Sequence, residues 1–229
     1  MPVSEKATET QTASYRVRQA ILAEELLPGQ RLGEKELAER FGLGRAAIRT
    51  ALARLEQEGL GKSEPFRGAT VRAIDEAEAV EILEARAALE SLAARYAARK
   101  ATPEQVERLE DILRQMEARY EAGDLLGMSE LNSELHQRLL EIAGHRTAAR
   151  LIESLRAQNV RHQFRTILVP GRSRRSLEEH RRIVQAVAAH DEEKAAQAML
   201  EHLSQVAEAL RQSAALTTPQ PPSPILEEA

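Results

Sequence analysis

The sequence predicts a mainly α-helical protein in two parts: three short helices with a small β-hairpin over residues 14–74, then an all-α bundle over residues 75–216. Three observations carry this reading. Apolar residues recur at helical spacing through most of the chain. The composition, 42% apolar and 30% charged, is globular and rich in helix formers. Strand-compatible residues collect in one stretch, residues 60–74. A length of 229 residues is long for a single helical core, so two domains are expected.

From the N-terminus, residues 1–13 read as a disordered arm. Val17, Ala20, Ile21 and Leu26 give residues 14–27 an apolar helical face, with Ser14 as N-cap and Pro28-Gly29 as breaker. Glu34–Phe41 is a short second helix stopped by Gly42. After Gly44, Arg45–Glu58 forms a third helix with Ile48, Leu52 and Leu55 inward, closed by Gly59. Residues 60–74, with one Pro and two Gly, form the hairpin. Asp75 caps a helix to about Lys100, and Thr102-Pro103 starts the next with Thr at N-cap and Pro in the first turn. Gly123-Asp124 begins a helix to Ala143, and after Gly144 another runs to about Val169. Beyond Pro170-Gly171 a helix spans Ser173–His190, and Asp191 caps the last, ending near Leu216. The Pro-rich residues 217–229 read as a disordered tail.

Composition excludes several classes. With no Cys there are no disulfides, thiolate metal sites or cysteine nucleophiles, and a reducing, cytoplasmic setting is expected. No apolar run approaches the ~20 residues that span a bilayer, and the N-terminus has no signal-peptide core, so no membrane partner is expected. Aromatics at 3% are too few for base-stacking platforms. The net charge of −4 argues against indiscriminate nucleic-acid binding. Between Arg40 and Arg72, however, seven basic residues stand against three acids, a local surplus suited to phosphates.

Three helices with a tight Gly-containing turn before the third, then a hairpin, make the winged helix-turn-helix pattern, whose third helix enters the major groove of double-stranded DNA. Arg45 and Arg49 are one turn apart on its N-terminal half, where an arginine can hold guanine O6 and N7 with two hydrogen bonds. Arg67-Gly68 suits a wing tip at a narrow minor groove, and Lys35 suits a phosphate. Taken alone, the two arginines also fit an ordinary solvated helix face; the order of elements around them favours DNA.

The stretch LLPGQRLGEKELAERFGLGRAAIRTALARLEQEGL…RGATV resembles the DNA-binding domain of GntR-type regulators across residues 14–74. Where the family usually has Ser or Thr, Arg, Thr, Pro, a hydrophobic residue and Arg, this chain has Gly44, Arg45, Ala46, Ala47, Ile48 and Arg49. The resemblance implies DNA contacts at Gly44, Arg45, Ala46 and Arg49, without the family's hydroxyls. Residues 75–216 resemble the helical FCD domain of the FadR branch, through ILEARAALESLAARYAA, NSELHQRLLEIAGH, EEHRRIVQAVAAHD and MLEHL. By position the resemblance implies divalent-metal ligands at Asn132, His136, His180 and His202, with Asn132 in place of the family's usual Asp.

The residues lend their own support. Asn132 and His136 share a helix face at i and i+4, His180 lies in an apolar stripe of Leu177, Val184 and Val187, and His202 flanks another. A lone His in such a stripe is usually a hydrogen-bonded core residue, but three inward imidazoles need partners. Imidazoles with an open position suit Zn²⁺, with Ni²⁺ or another imidazole-accepting metal as alternatives and a metal-free polar cavity as the other reading. His145, His162 and His190 read as surface residues. Arg86, at the family's inward arginine position, implies a clamp on a small carboxylate metabolite, unless it only pairs with Glu90 at i+4 on the surface. The expected function is a homodimeric repressor on a pseudo-palindromic operator, released by that metabolite. The alternatives are a hydrolase-like enzyme using the three histidines, or a DNA-binding scaffold without effector.

Overall fold

The computed structural model describes residues 3–64, 68–167 and 169–217. Their order is α1 (Val3–Leu22), β1 (Arg31–Leu32), α2 (Glu34–Phe41), α3 (Arg45–Gln57), β2 (Gly61–Glu64), β3 (Gly68–Val71), α4 (Glu76–Lys100), α5 (Pro103–Glu121), α6 (Leu125–Ala143), α7 (Arg146–Ile167), α8 (Arg172–Ala188) and α9 (Glu192–Thr217). The chain divides into two compact units: Met1–Asp75 with Arg150–Val160, and Glu76–Ala149 with Arg161–Ala229.

In the first unit, α1 and α3 bury Val17, Ile48, Ala51 and Leu55 completely. Gly42 ends α2 in the left-handed conformation (φ 64°), and Gly44 restarts the chain as the extended N-cap of α3. The first helix is longer at one end and shorter at the other than the apolar pattern predicts. It begins at Val3, because nothing between Val3 and Ser14 breaks a helix and tertiary contacts hold it. Ala13 is fully buried, and the Gly44 N–H donates to Glu9 Oε1 at 2.7 Å. The Ser14 hydroxyl donates back to the Thr10 carbonyl (3.0 Å), an intrahelical bond rather than a cap. The helix ends at Leu22, where a turn with Glu24 at φ 58° folds Leu26 into the core ahead of Pro28.

The hairpin β2–β3 forms within residues 60–74, and β1 adds a third strand on the other side of β3, all antiparallel. A two-residue strand carries no alternation that sequence could reveal. It is held by the ladder of Arg31 and Leu32 opposite Thr70 and Ala69, continued by hydrogen bonds of 2.9 Å between Gly29, Gln30 and Val71. Residues 65–67, including Arg67, and the tail from 218 lie outside the described residues.

Residues 150–160 of α7 complete this unit. Ser154 Oγ and Gln158 Nε2 donate to the Glu58 carbonyl at 3.2 and 3.1 Å, and Arg72 Nη1 donates to Gln158 Oε1 at 3.0 Å. Gly59 follows at φ 74°, and a Cβ there would stand 2.6 Å from Gln158 Cδ. Alanine at this position would incur about 1–2 kcal/mol for the left-handed backbone. It would also displace the Gln158 side chain, whose hydrogen bonds with Arg72 and the Glu58 carbonyl contribute about 1 kcal/mol each. Gly59→Ala is therefore expected to lower the unfolding midpoint in urea by the equivalent of ~2–4 kcal/mol; a midpoint equal to that of the wild type would contradict this packing.

The second unit is a helical bundle in which α4 packs against α9, α6 and α8, while α5 packs against α6 and α8. Alanines on α4 and α9, among them Ala94, Ala97 and Ala195, are fully buried and let the two axes approach. Ser91 Oγ seals that contact by donating to the Ala196 carbonyl at 2.8 Å. The helix starts follow local chemistry. Thr102 and Gln105 make a reciprocal capping box ahead of Pro103, and Asp124 caps α6 through the Gly127 N–H.

Candidate functional site

The recognition surface in the first unit follows from the periodicity of α3. Ala47, Ile48, Ala51, Leu52 and Leu55 are buried, so the opposite face, with Arg45, Ala46 and Arg49, is exposed. The Arg49 side chain is 68% exposed and makes a two-pronged pair with Glu34, Nε to Oε1 at 2.8 Å and Nη2 to Oε2 at 2.7 Å. The Arg49 guanidinium holds the Glu34 carboxyl below its usual range. Such an exposed pair adds little stability. What it does is fix the orientation of the arginine's planar fork, which presents the paired donors that a guanine edge would use. Arg31, Lys35, Arg45 and Arg49 line one open cleft with Gly68 of β3. Lys35 is exposed, 3.9 Å from Glu39, and Gly68 is exposed at φ 81°. The Gly44 N–H is engaged by Glu9. The cleft thus gathers Lys35, Arg45, Arg49 and Gly68 and adds Arg31 and Glu34, which sequence reasoning missed. Both come from the short β1–α2 segment, too brief to show a periodicity.

In the second unit, α6, α8 and α9 bring His136, His180 and His202 together, each fully or almost fully buried. One ring nitrogen from each lies within 4.8 Å of the others. Their second nitrogens are held from behind. His136 Nδ1 is 2.6 Å from Glu90 Oε2, His202 Nδ1 is 2.7 Å from Glu179 Oε2, and His180 Nδ1 is 3.3 Å from Ser176 Oγ. A carboxylate accepts and cannot donate, so the Nδ1 atoms of His136 and His202 carry protons and their Nε2 lone pairs face inward. Burial, reinforced by the neighbouring imidazoles, holds His180 and His202 well below the usual histidine range and so keeps them neutral. Each carboxylate is backed by a guanidinium. Arg86 donates to Glu90 Oε1 at 3.0 and 2.8 Å, and Arg172 donates to Glu179 Oε2 at 2.8 Å. Burial holds the Glu179 carboxyl above its usual range, and Arg172 offsets part of that rise.

One pair of these nitrogens has the spacing of a tetrahedral metal site. Two nitrogens bound at about 2.0–2.1 Å in that geometry stand roughly 3.3 Å apart. His136 Nε2 and His180 Nε2 are separated by 3.2 Å. Without a metal that spacing is met by an N–H···N hydrogen bond from His180 Nε2, whose Nδ1 accepts from the Ser176 hydroxyl; a cation would take the place of that proton. A carboxylate behind a metal-ligating imidazole, fixing its tautomer and ring orientation, is the usual outer support of such sites.

Asn132 lies half-buried one turn before His136 on α6. Arg86 is paired with Glu90 as its spacing allows, but in the core and not on the surface: the side chains are 9% and 2% exposed. His145 is half-buried with its ring edge-on to Tyr96, His190 is exposed and 2.7 Å from the Ala98 carbonyl, and the His162 side chain lies outside the described residues. Glu90, Glu179, Ser176 and Arg172 were missed in sequence. The available signal was Glu90 itself, a charge at a core position of α4 between Leu83, Ala87, Ala94 and Ala97.

Residues 9–71 match the family described as bacterial regulatory proteins, gntR family, and residues 81–205 match the FCD domain. The chain belongs to the GntR family. This regulator is 32% identical over 187 residues to the HTH-type transcriptional repressor RspR of Escherichia coli, covering 82% of each chain. It is 30% identical to the HTH-type transcriptional regulator YdhC of Bacillus subtilis, covering 80% of this chain and 83% of that protein. The solved structure of E. coli McbR/YncC shares the fold with a TM-score of 0.72 at 23% identity, over 90% of this chain and 98% of that one. The GntR regulator described here is thus a DNA-binding transcriptional regulator with a helix-turn-helix domain and an FCD domain. Among the described residues no helix is long and apolar enough to cross a membrane.

Proposed function

We propose that this regulator is a homodimeric repressor whose helical domain holds a divalent metal, zinc foremost, and which leaves its operator when a small carboxylate binds beside that metal. The observation that carries the reading is the convergence of three buried imidazoles backed by Glu90, Glu179 and Ser176. His136, His180 and His202 would hold the ion, with the Asn132 carbonyl one turn from His136 as a weaker fourth donor. When bound, the metal supplies a Lewis-acid position for an anionic oxygen. Arg86 orients Glu90 from behind and adds positive field for an entering acid. On DNA, Arg45, Arg49, Lys35, Gly44, Ala46 and the wing residues Arg67 and Gly68 meet one half-site, and two recognition helices about 34 Å apart meet two. The name of the E. coli relative supports the repressor sign. A metabolite preferring a dimer with the wrong half-site spacing lowers DNA affinity, and DNA lowers metabolite affinity by the same factor.

Elemental analysis with native mass spectrometry of gently purified protein tests the metal and the dimer together. About one equivalent of metal per chain is expected in the wild type, and near zero in His180→Ala, which removes one of three ligands from an already neutral set. A wild type free of metal when purified without chelator, or a His180→Ala variant that retains it, would reject the assignment.

A further inference from the structure

Arg172 opens α8 eight residues ahead of His180 and is 4% exposed. Its Nη2 donates to Glu179 Oε2, the same oxygen that holds His202 Nδ1. Its Nη1 is buried and meets no hydrogen-bond acceptor among the described residues. Unsatisfied buried groups are rare in folded proteins and call for a partner the chain does not itself supply. One carboxylate oxygen, Glu179 Oε2, serves both the guanidinium and the neutral His202 imidazole, and burial works against the cationic form of Arg172. An added water would give Nη1 an acceptor but no charge. A carboxylate oxygen gives both, in a charge-assisted bond about twice as strong as a neutral one. Arg86 is differently placed, with Nε and Nη2 both committed to Glu90 Oε1.

Resting on the reading that an acid enters beside the three imidazoles, we propose that Arg172, through Nη1, anchors a carboxylate group of that acid. The acid then joins α8 to the cluster that α6 and α9 complete. Recognition is by a fixed planar fork already held at one end by Glu179. The ligand class is a small carboxylic acid with an oxygen spare for the imidazole side.

The test is calorimetric titration of the full-length protein, as purified, with malonate, acetate and inorganic phosphate at one pH and ionic strength. Wild type is expected to bind malonate. Arg172→Lys keeps a cation for Glu179 but loses the fork, and it is expected to bind malonate about ten- to a hundred-fold more weakly. The melting temperature without ligand reports whether that variant is folded. A wild-type crystal soaked in malonate gives an answer independent of any variant: a carboxylate oxygen within hydrogen-bond distance of Nη1 is expected. Equal malonate affinity in the folded variant, or only water at Nη1 in crystals with malonate bound elsewhere, overturns the Arg172 assignment and leaves the acid-responsive reading standing. A wild type that binds phosphate in preference to malonate overturns the carboxylate class. A wild type that binds none of the three removes both the anchor and the acid response.

Discussion

Arg49→Ala is expected to weaken binding to the preferred duplex by about 1–3 kcal/mol per half-site, roughly five- to a hundred-and-fifty-fold, with both half-sites affected in a dimer. The preferred duplex is one selected by the wild type from a random-sequence pool. The effect is large because Arg49 stands on the open face of α3 with its fork already fixed in orientation by two hydrogen bonds to Glu34. DNA exchanges that carboxylate for a base edge and phosphates. Stability should change little, since the Arg49 side chain is 68% exposed and alanine favours a helix. Fluorescence anisotropy against the selected duplex and a scrambled one, at a single salt concentration, separates lost specificity from lost charge. Equal affinity of variant and wild type for the selected duplex would move the reading surface away from α3.

How much of this was open to sequence reasoning depends on the range of each interaction. Helix ends set by a residue's own backbone were readable: Gly42 and Gly144 adopt left-handed caps, and Thr102 and Asp124 cap where their side chains reach the next N–H groups. The extension of α1 to Val3 was not, because it depends on Ala13 finding the core and on Glu9 reaching Gly44, 35 residues away. Nor was β1, which exists only through pairing with β3. The candidate metal centre divides the same way. Histidines on apolar stripes were visible from period and polarity. Their carboxylate supports were not, because Glu90 reaches His136 across 46 residues and Glu179 reaches His202 across 23. Arg86 illustrates the limit: its i+4 spacing to Glu90 was plain, yet the burial that turns a weak surface pair into part of the site is a tertiary property.

Glu179→Ala is expected to be the most destabilising single change in the helical unit. Glu179 is buried, and its Oε2 accepts from the Arg172 guanidinium and the His202 ring together. Truncation leaves the Arg172 charge in the core without its carboxylate, which costs about 3–5 kcal/mol. For a chain of this length that lowers the melting temperature by on the order of 10 °C, read by calorimetry or by the urea midpoint. It also frees the His202 ring to turn, and loss of such an outer support weakens metal affinity about 10–100-fold. The two effects separate in a double variant, Arg172→Met with Glu179→Leu. Replacing a buried ion pair by apolar groups of similar volume is often neutral or stabilising, so the double variant should recover most of the lost stability. It should not recover metal affinity, since His202 still has nothing holding its Nδ1 proton. A Glu179→Ala protein as stable as the wild type would mean that water reaches Arg172, and the buried network drawn here would have to be abandoned.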